Sequence, residues 1–272
     1  MKTPILACAL ALLFVAMGCN KDDNNTASPL TAAEIKANAD MDNISDDVSA
    51  IAESESDATS TAGRGGQPSF LSGCAQVITT ISGNTWTRII DFGATNCTLY
   101  NGNSVRGKII IVFSDDFDAA TRTINYSFEN FYHNNRHVEG NRTVGRTIVN
   151  GHPRAVIDLN LTVTTPQGAV YQRTGQRVRD FVSGFGNLIL SDNQFSITGS
   201  WVTTFPSGTI QSANIVAPLI IHWDCAHIMS GSISFTRNNS SATAVLDYGN
   251  GSCDDMATLT INGNVYPIDL GI

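Results

Sequence analysis

Six consecutive residues, from His222 to His227, bring two imidazoles, a carboxylate and a thiol together in the order His-Trp-Asp-Cys-Ala-His. Such side chains bind transition metals or take part in nucleophilic catalysis. On a β-strand, however, side chains an odd number of positions apart point to opposite faces, so His222 and His227 would not converge. Cys225 is also lost as a ligand or nucleophile if it forms a disulfide. We therefore predict structural or solvated histidines here.

The segment 247–255, DYGNGSCDD, contains three carboxylates and two glycines, and these suggest a calcium loop. The spacing of its oxygen ligands does not match the D-x-[DN]-x-[DN]-G pattern of known calcium loops. We expect instead that Gly249 and Gly251 adopt positive φ in a loop that is held in place by Cys253. Asp247 is then expected to accept hydrogen bonds from nearby backbone amides.

Catalytic motifs are missing from the sequence: it contains no G-x-S-x-G, H-E-x-x-H or C-x-x-C pattern and no glycine-rich phosphate loop. His133 and His137 flank a hairpin turn, but the sequence offers no third metal ligand beside them. A carboxylate pair of the glycosidase type stays open, because such pairs form only in space. We therefore assign no catalytic residue, metal or cofactor, and we expect no enzymatic activity.

Aromatic residues in the strands allow two interpretations. They can form a platform on which sugar rings stack, or they can pack in the core, where each buries a large apolar area. Core packing is the commoner use of aromatic residues in strands. The residues concerned are Trp86, Trp201, Trp223, Phe131 and Tyr132.

The first nineteen residues have the pattern of an export signal. Lys2 precedes an uncharged apolar run of 13 residues, Ile5–Met17, and a small residue stands before Cys19. A run of this length cannot span a bilayer. The sequence FVAMGC, residues 14–19, resembles the lipobox of bacterial lipoproteins. The resemblance implies that residues 1–18 are a signal peptide that is removed, and that the thiol of Cys19 carries the acyl chains of a stable membrane anchor.

The three residues Lys21, Asp22 and Asp23 resemble the acidic export signal that sends lipoproteins of the Bacteroidota group to the outer face of the outer membrane. The resemblance covers only the start of the chain. It implies a protein of the cell outer membrane that is lipid-anchored and faces the exterior. The membrane is then one partner of the protein, reached through its lipid.

Four cysteines remain once Cys8 is removed with the signal peptide and Cys19 is acylated: Cys74, Cys97, Cys225 and Cys253. In an oxidising compartment, an even number of cysteines indicates disulfides. Three connectivities are possible, and we favour Cys74–Cys97 with Cys225–Cys253, because each pair brackets one apparent hairpin. A zinc site is the alternative, but the short C-x₂₋₄-C spacing of such sites is absent.

Residues 19–68 form an acidic segment. Between residues 20 and 60 there are ten carboxylates and two lysines, a net charge of −8. The composition predicts a disordered tether. One short helix is possible within it, because Thr31 and Glu34 match a capping box and Met41, Ile44, Val48 and Ile51 share one helical face. The rest of the chain is nearly neutral and has no basic stripe, so we expect no nucleic-acid binding.

Residues 69–272 form the β domain. Short runs rich in Val, Ile, Thr, Phe and Tyr alternate with Asn-Gly and Ser-Gly turns, which predicts antiparallel strands. We place these strands at 75–81, 86–91, 107–113, 122–132, 137–147, 155–164, 169–179, 194–204, 209–213, 219–223, 229–236, 243–247, 257–261 and 265–270. The predicted fold is all-β, an antiparallel meander forming a sandwich or a partly open barrel.

Three functions fit these expectations. The first is a surface lipoprotein whose β domain binds an unknown protein or glycan, or supports the envelope, without catalysis. The second is a periplasm-facing carrier of lipid or another hydrophobe, because an open half-barrel can hold an apolar ligand. The third is a glycan-binding β-sandwich.

Overall fold

The computed structural model describes residues 30–60 and 70–271, apart from residues 72, 115, 117, 118, 188 and 239. These residues form one α-helix, a short 3₁₀ turn at Leu190–Asp192 and fourteen β-strands. The helix α1 is Ala32–Ser60. The strands are β1 (Gln76–Ser82), β2 (Thr85–Asp91), β3 (Cys97–Thr98), β4 (Ser104–Ser114), β5 (Thr121–His133), β6 (Arg136–Val149), β7 (His152–Thr164), β8 (Val170–Ser183), β9 (Gln194–Thr204), β10 (Ile210–His222), β11 (Ser230–Arg237), β12 (Thr243–Asn250), β13 (Met256–Ile261) and β14 (Asn264–Asp269).

All fourteen strands belong to one antiparallel sheet, in which each strand pairs with the next along the chain. Only β3 leaves this path, as a short addition to β4. The first and last strands, β1 and β14, lie at the two edges and do not pair with each other. The predicted antiparallel meander is confirmed, and its strands form a single unclosed sheet rather than two packed sheets.

Most strands have one buried and one more exposed face. In β7, Ala155, Ile157, Leu159, Leu161 and Val163 are buried, and the residues between them are partly or fully exposed. Side chains alternate between the two faces of a strand, so this spacing places every apolar residue on the same side. The buried sides of successive strands form the inner face of the sheet.

Helix α1 packs on this inner face and contacts much of its width. Its side chains bond to Arg88 on β2, Arg142 on β6, Arg173 on β8 and Arg237 on β11. A sheet that brings strands so far apart in its order to one helix must curve around that helix. Residues 41–56 of α1 are accordingly buried on all sides.

The start of α1 follows the predicted capping box. The backbone N–H of Glu34 donates to Thr31 Oγ1 over 3.3 Å, and the backbone N–H of Thr31 donates to the Glu34 carboxylate over 2.9 Å. The predicted apolar face is also present, and its members Met41, Ile44 and Val48 are buried with Ile51.

The length of α1 differs from the expected short helix in an acidic tether. It spans 29 residues, roughly 44 Å at 1.5 Å per residue. The composition of the segment favours disorder only while its carboxylates face water, and in the folded chain the sheet supplies their partners. Residues 1–29 and 61–69, which include the rest of the predicted tether, lie outside the described residues.

Strand β10 covers two stretches that were predicted as separate strands, 209–213 and 219–223. The pairing of β10 with β9 shifts register between Asn214 and Leu219, and its pairing with β11 shifts twice in the same region. This irregular stretch contains Pro218, which interrupts the pattern of strand residues. Such bulges bend a strand without ending it, so one strand continues through the break.

Candidate functional site

The most unusual feature of the protein is the set of ion pairs between α1 and the sheet. Each of the seven carboxylates between Ala32 and Ser56 on α1 has a cationic or imidazole partner on the sheet. We refer to these contacts as the helix–sheet ion pairs. They are Glu34–Arg237 (2.6 Å), Asp40–Arg136 (2.5 Å), Asp42–Arg173 (2.5 Å), Asp42–Arg177, Asp46–Arg177 (3.3 Å), Asp47–His133 (2.7 Å), Glu53–Arg179 (2.8 Å) and Glu55–Arg88 (2.7 Å).

Asp42 lies at the centre of this set. Its carboxylate accepts hydrogen bonds from both Arg173 and Arg177, and Tyr248 on β12 approaches its other oxygen at 3.5 Å. The side chains of Asp42 and Arg173 are fully buried. Burial lowers the pKa of Arg173 to about 10, so its guanidinium is still charged at neutral pH. Burial, with a smaller contribution from Asp42, raises the pKa of Tyr248, so its phenol stays protonated.

Trp201 on β9 packs against the same two arginines. The guanidinium carbons of Arg173 and Arg177 lie 4.8 Å and 4.2 Å from the centre of a Trp201 ring. The space for the indole comes from Gly175, the residue between the two arginines on the inner face of β8. A Cβ at Gly175 would lie 2.6 Å from the Trp201 Cβ, so any larger residue would collide with it.

Asp47 forms a second buried centre on the other side of α1. One of its oxygens lies 2.7 Å from His133 Nε2 and accepts a hydrogen bond from the Asn103 amide at 2.7 Å. The other accepts from the Asn101 amide at 2.7 Å. An aspartate beside a histidine is also part of many catalytic triads. Here, however, His133 is only 1% exposed and its Nε2 faces the carboxylate, so the pair is enclosed.

Two carboxylates of α1 have raised pKa values. Burial raises the pKa of Asp46 to about 7 and outweighs the opposing effect of Arg177. Burial also raises the pKa of Asp40, against the opposing charge of Arg136. Asp46 therefore titrates within the folded protein near neutral pH.

The helix–sheet ion pairs fix the position of α1 but face the interior. Asn38, Asp42 and Asp46 follow one another at four-residue spacing, and all three bond to residues on β8. Sliding α1 along the sheet would break this match. Buried charges without partners are strongly destabilising, so the pairs select one position of the helix. We assign them a structural role.

The inner arginines were not predicted from the sequence, although a signal was present. From Thr61 onward, 12 of the 13 basic residues are arginine. Arginine is the residue that commonly forms buried, multiply bonded ion pairs. On β8, Arg173, Arg177 and Arg179 are separated by even intervals and therefore share one face. Together with the excess of acid in residues 20–60, this pattern predicts a basic sheet face opposite an acidic helix.

The histidine cluster at His222 does not form a site. Strand β10 ends at His222, and His227 lies in the following loop, so the premise that both occupy one strand is wrong. Trp223 between them is buried against Phe70 and Phe195 at ring distances of 5.3 Å and 5.5 Å. Within the described ranges, no group of three or more His, Cys, Asp or Glu residues is arranged to hold a metal ion.

The second histidine pair lies on opposite faces of the sheet. His133 and Arg136 are directly paired across the β5–β6 hairpin, so His137 faces the other side. While His133 is buried against Asp47, His137 is 28% exposed and stacks near Tyr132 at 4.8 Å. The two imidazoles are therefore separated by the sheet.

The segment 247–255 contains the end of β12 and the loop that follows it, and its two glycines have the predicted positive φ. The Asp247 carboxylate accepts the backbone N–H of Gly249 at 2.8 Å, and Gly249 and Gly251 have φ values of 88° and 109°. Asp91 accepts the N–H of Gly93 at the same distance in the corresponding hairpin. The similar sequences DFG and DYG thus form the same local turn.

The disulfide pairing favoured from the sequence is present. Cys74 is bonded to Cys97, and Cys225 is bonded to Cys253. The Cys74–Cys97 bridge closes the open end of the β1–β2 hairpin, and the Cys225–Cys253 bridge closes the open end of the β11–β12 hairpin. The four thiols are therefore used in cross-links, and the zinc alternative is excluded for them.

The aromatic residues that were considered for a sugar-binding platform are largely internal. Trp201, Trp223 and Phe131 are at most 6% exposed, so their rings cannot stack on an external sugar. Trp86 is partly buried and packs near Phe113. The interpretation of these residues as core is confirmed for the three buried rings.

A shallow groove of about 650 Å³ lies on the outer face of β8–β11, near the irregular stretch of β10. We call it the outer groove. Its lining carries no charge and consists mainly of hydroxyl and amide side chains, with Val202 and Val216 as its exposed apolar members. The polar residues include Thr174, Gln176, Ser200, Ser212, Asn214 and Thr236. Such a surface can donate and accept hydrogen bonds with a neutral ligand.

The predicted lipidation site and export signal, Cys19 with Lys21, Asp22 and Asp23, lie outside the described residues. In the part of the chain that is described, no helix combines the length and apolar character required to cross a membrane. Comparison of the chain with protein families, curated proteins and solved structures finds no match.

Proposed function

We propose that this chain is a lipoprotein of the outer membrane, acylated at Cys19 and displayed on the cell exterior, whose β domain serves binding or envelope structure without catalysis. The lipobox-like sequence and the acidic residues after it support the proposed location on the outer membrane. The proposed role of the β domain in binding or envelope structure rests on one observation, that α1 fills the interior of the sheet. The buried acids, arginines and His133 bond to one another, which leaves the outer surface for contact with partners.

The distance between domain and membrane follows from where α1 begins. Only twelve residues, 20–31, separate Cys19 from the first residue of α1. Fully extended, they reach at most about 40 Å. The domain would therefore sit close to the membrane, and the tether expected over residues 19–68 is shortened because α1 belongs to the folded domain.

Protease treatment of intact cells tests this proposal. The wild-type domain should be cleaved from outside, and a variant with Asp22→Ala and Asp23→Ala should be protected while still taking up labelled palmitate. A Cys19→Ala variant should take up no label. Protection of the wild-type protein on intact cells, with cleavage only after the outer membrane is opened, would contradict external display.

Binding of a neutral glycan is a second candidate function, and the outer groove favours it. The groove offers hydroxyl and amide groups with two exposed valines and no charge. A glycan array probed with the wild-type protein should give signals that Gln176→Ala and Asn214→Ala weaken. Asn125→Ala, an exposed change on β5, is the matched control and should bind like the wild type. An array without signal would remove this candidate.

The predicted function as a carrier of lipid or another hydrophobe has less support from the structure. A carrier needs an apolar cavity, and the inner face of the sheet is occupied by α1 and lined by buried arginines. A lipid could enter this space only if α1 left it, which would expose the helix–sheet ion pairs. A carrier would hold acyl chains without a covalent bond, so native mass spectrometry of the delipidated protein is the direct test, and protein that fails to carry acyl chains would exclude the carrier.

A further inference from the structure

Strand β1 is an edge strand with none of the usual protection against strand pairing. Its sequence, QVITTIS, contains no charge, proline or glycine, and all seven residues are exposed. Among the described strands, β1 pairs only with β2, and none of them occupies its other edge. Natural edge strands are commonly blocked by lysine, proline, a bulge or short length. An edge that lacks these features is a template for another strand.

The hairpin between β1 and β2 determines which backbone groups face outward. Ser82 and Thr85 flank a two-residue turn in which Gly83 has φ 57°, so they form a hydrogen-bonded pair. Hydrogen-bonded and non-hydrogen-bonded pairs alternate along antiparallel strands. Ser82, Thr80, Ile78 and Gln76 therefore bond to β2. The N–H and C=O groups of Val77, Thr79 and Ile81 point to the open edge.

The opposite edge of the sheet, β14, is blocked by its sequence. The turn Asn262-Gly263 makes Ile261 and Asn264 a hydrogen-bonded pair, and the same alternation turns the backbone nitrogen of Pro267 outward. Proline has no N–H, so the middle of this edge lacks a donor. Asp269 adds a charge at the next outward position. Strand addition is thus favoured at β1 and disfavoured at β14.

We propose that β1 pairs with β1 of a second copy of this chain and continues the sheet across a twofold axis. The outward residues Val77, Thr79 and Ile81 are symmetric about Thr79. In an antiparallel arrangement centred there, Thr79 faces Thr79 of the second copy and Val77 faces its Ile81. Each of these pairs exchanges two backbone hydrogen bonds, and the contact closes after two chains because both use the same surface.

The side chains support this arrangement on both faces of the new strand pair. Val77, Ile78 and Ile81 are 37%, 55% and 56% exposed, and the pairing would cover apolar surface on each side. No charge on β1 has to be desolvated. A foreign peptide could use the same edge, but symmetric, uncharged strands favour the second copy. For a chain anchored in a membrane, crowding in two dimensions would further promote pairing.

Sedimentation velocity of the full-length mature protein in detergent tests the proposal. The wild type should change from monomer to dimer as its concentration rises. Thr79→Lys places two ammonium groups directly opposite each other, and we expect it to raise the dimer dissociation constant at least tenfold. Val265→Lys on β14 is the matched control, because Val265 is 64% exposed at the other edge, and it should dimerise like the wild type.

A cross-link provides a second measurement that depends on register. Thr79→Cys should form a disulfide-linked dimer in a glutathione buffer, because directly opposed, hydrogen-bonded residues have Cα atoms about 5.5 Å apart. Val77→Cys should not, because its two copies lie on opposite sides of the twofold axis. The proposal is overturned if the wild type stays monomeric at all concentrations. It is also overturned if Val265→Lys, rather than Thr79→Lys, prevents the dimer, or if the Val77 variant cross-links in place of the Thr79 variant.

Discussion

Replacing Asp42 with asparagine should be among the most damaging single changes in this protein. The substitution keeps the size of the side chain but removes the charge that the buried guanidiniums of Arg173 and Arg177 share. Removal of one partner from a buried ion pair costs about 3–5 kcal/mol, because the other charge stays in the interior without compensation. For a domain of about 200 residues, each kcal/mol lowers Tm by about 2–4 °C. We expect Asp42→Asn to lower Tm by about 6–20 °C.

Thermal unfolding followed by circular dichroism measures this effect. Glu129→Gln is the control, because it breaks the exposed Lys108–Glu129 pair of similar length (2.8 Å) and should leave Tm unchanged. The double variant Asp42→Leu, Arg173→Met should recover part of the loss, since Arg173 is no longer left as an unpaired guanidinium and Arg177 keeps Asp46 as its partner. If Asp42→Asn lowers Tm no more than Glu129→Gln does, the assigned role of the helix–sheet ion pairs is refuted.

Three further changes test other parts of the structure. The pKa of Asp46 is about 7 in the folded protein, against an ordinary value of 3.8. Between these two pH values the folded protein binds one proton more than the unfolded chain, and this proton stabilises the fold. The stabilisation is lost as pH rises through 7. Asp46→Asn should therefore flatten the fall in Tm between pH 5 and pH 8, and an unchanged slope would contradict the shift. Replacing Cys225 and Cys253 with serine should cost about 3.5 kcal/mol in urea unfolding, from the loop entropy of the bridge; a loss below 1 kcal/mol would show that the bridge adds little. Gly175→Ala should lower Tm, because its Cβ would lie 2.4 Å from a backbone oxygen of β9. A Cβ at Gly145 would meet no atom within 4 Å, so Gly145→Ala should be tolerated. Equal effects of the two substitutions on Tm would contradict the close approach of β9.

The strands were predictable because their signals are local. Alternation of apolar and polar residues places β7 at nearly its observed bounds, and Asn-Gly turns separate neighbouring strands. The order of neighbouring strands also follows where only two residues join them, as between β5 and β6 and between β6 and β7, since such a turn permits only an antiparallel neighbour. The main error was at β10, where Pro218 resembles an end of a strand but lies in a bulge. Local patterns do not distinguish the two.

The length of α1 was not predictable from the helix sequence alone. Thr31 and Glu34 mark its start because capping is a contact between residues three positions apart. What stabilises its interior is the pairing of Asp42, Asp46 and Glu53 with arginines more than 120 residues away. Read by themselves, these acids indicate a solvated segment. Their role emerges only when the acid of residues 20–60 is compared with the arginines on the strands.

Intact-mass measurement of the protein from membranes tests the central claim most directly. We predict a chain that begins at Cys19, lacks the first eighteen residues and carries two or three acyl chains. A mass that retains residues 1–18, or a mature chain without acyl chains, would contradict the lipid anchor and the proposed display on the cell exterior.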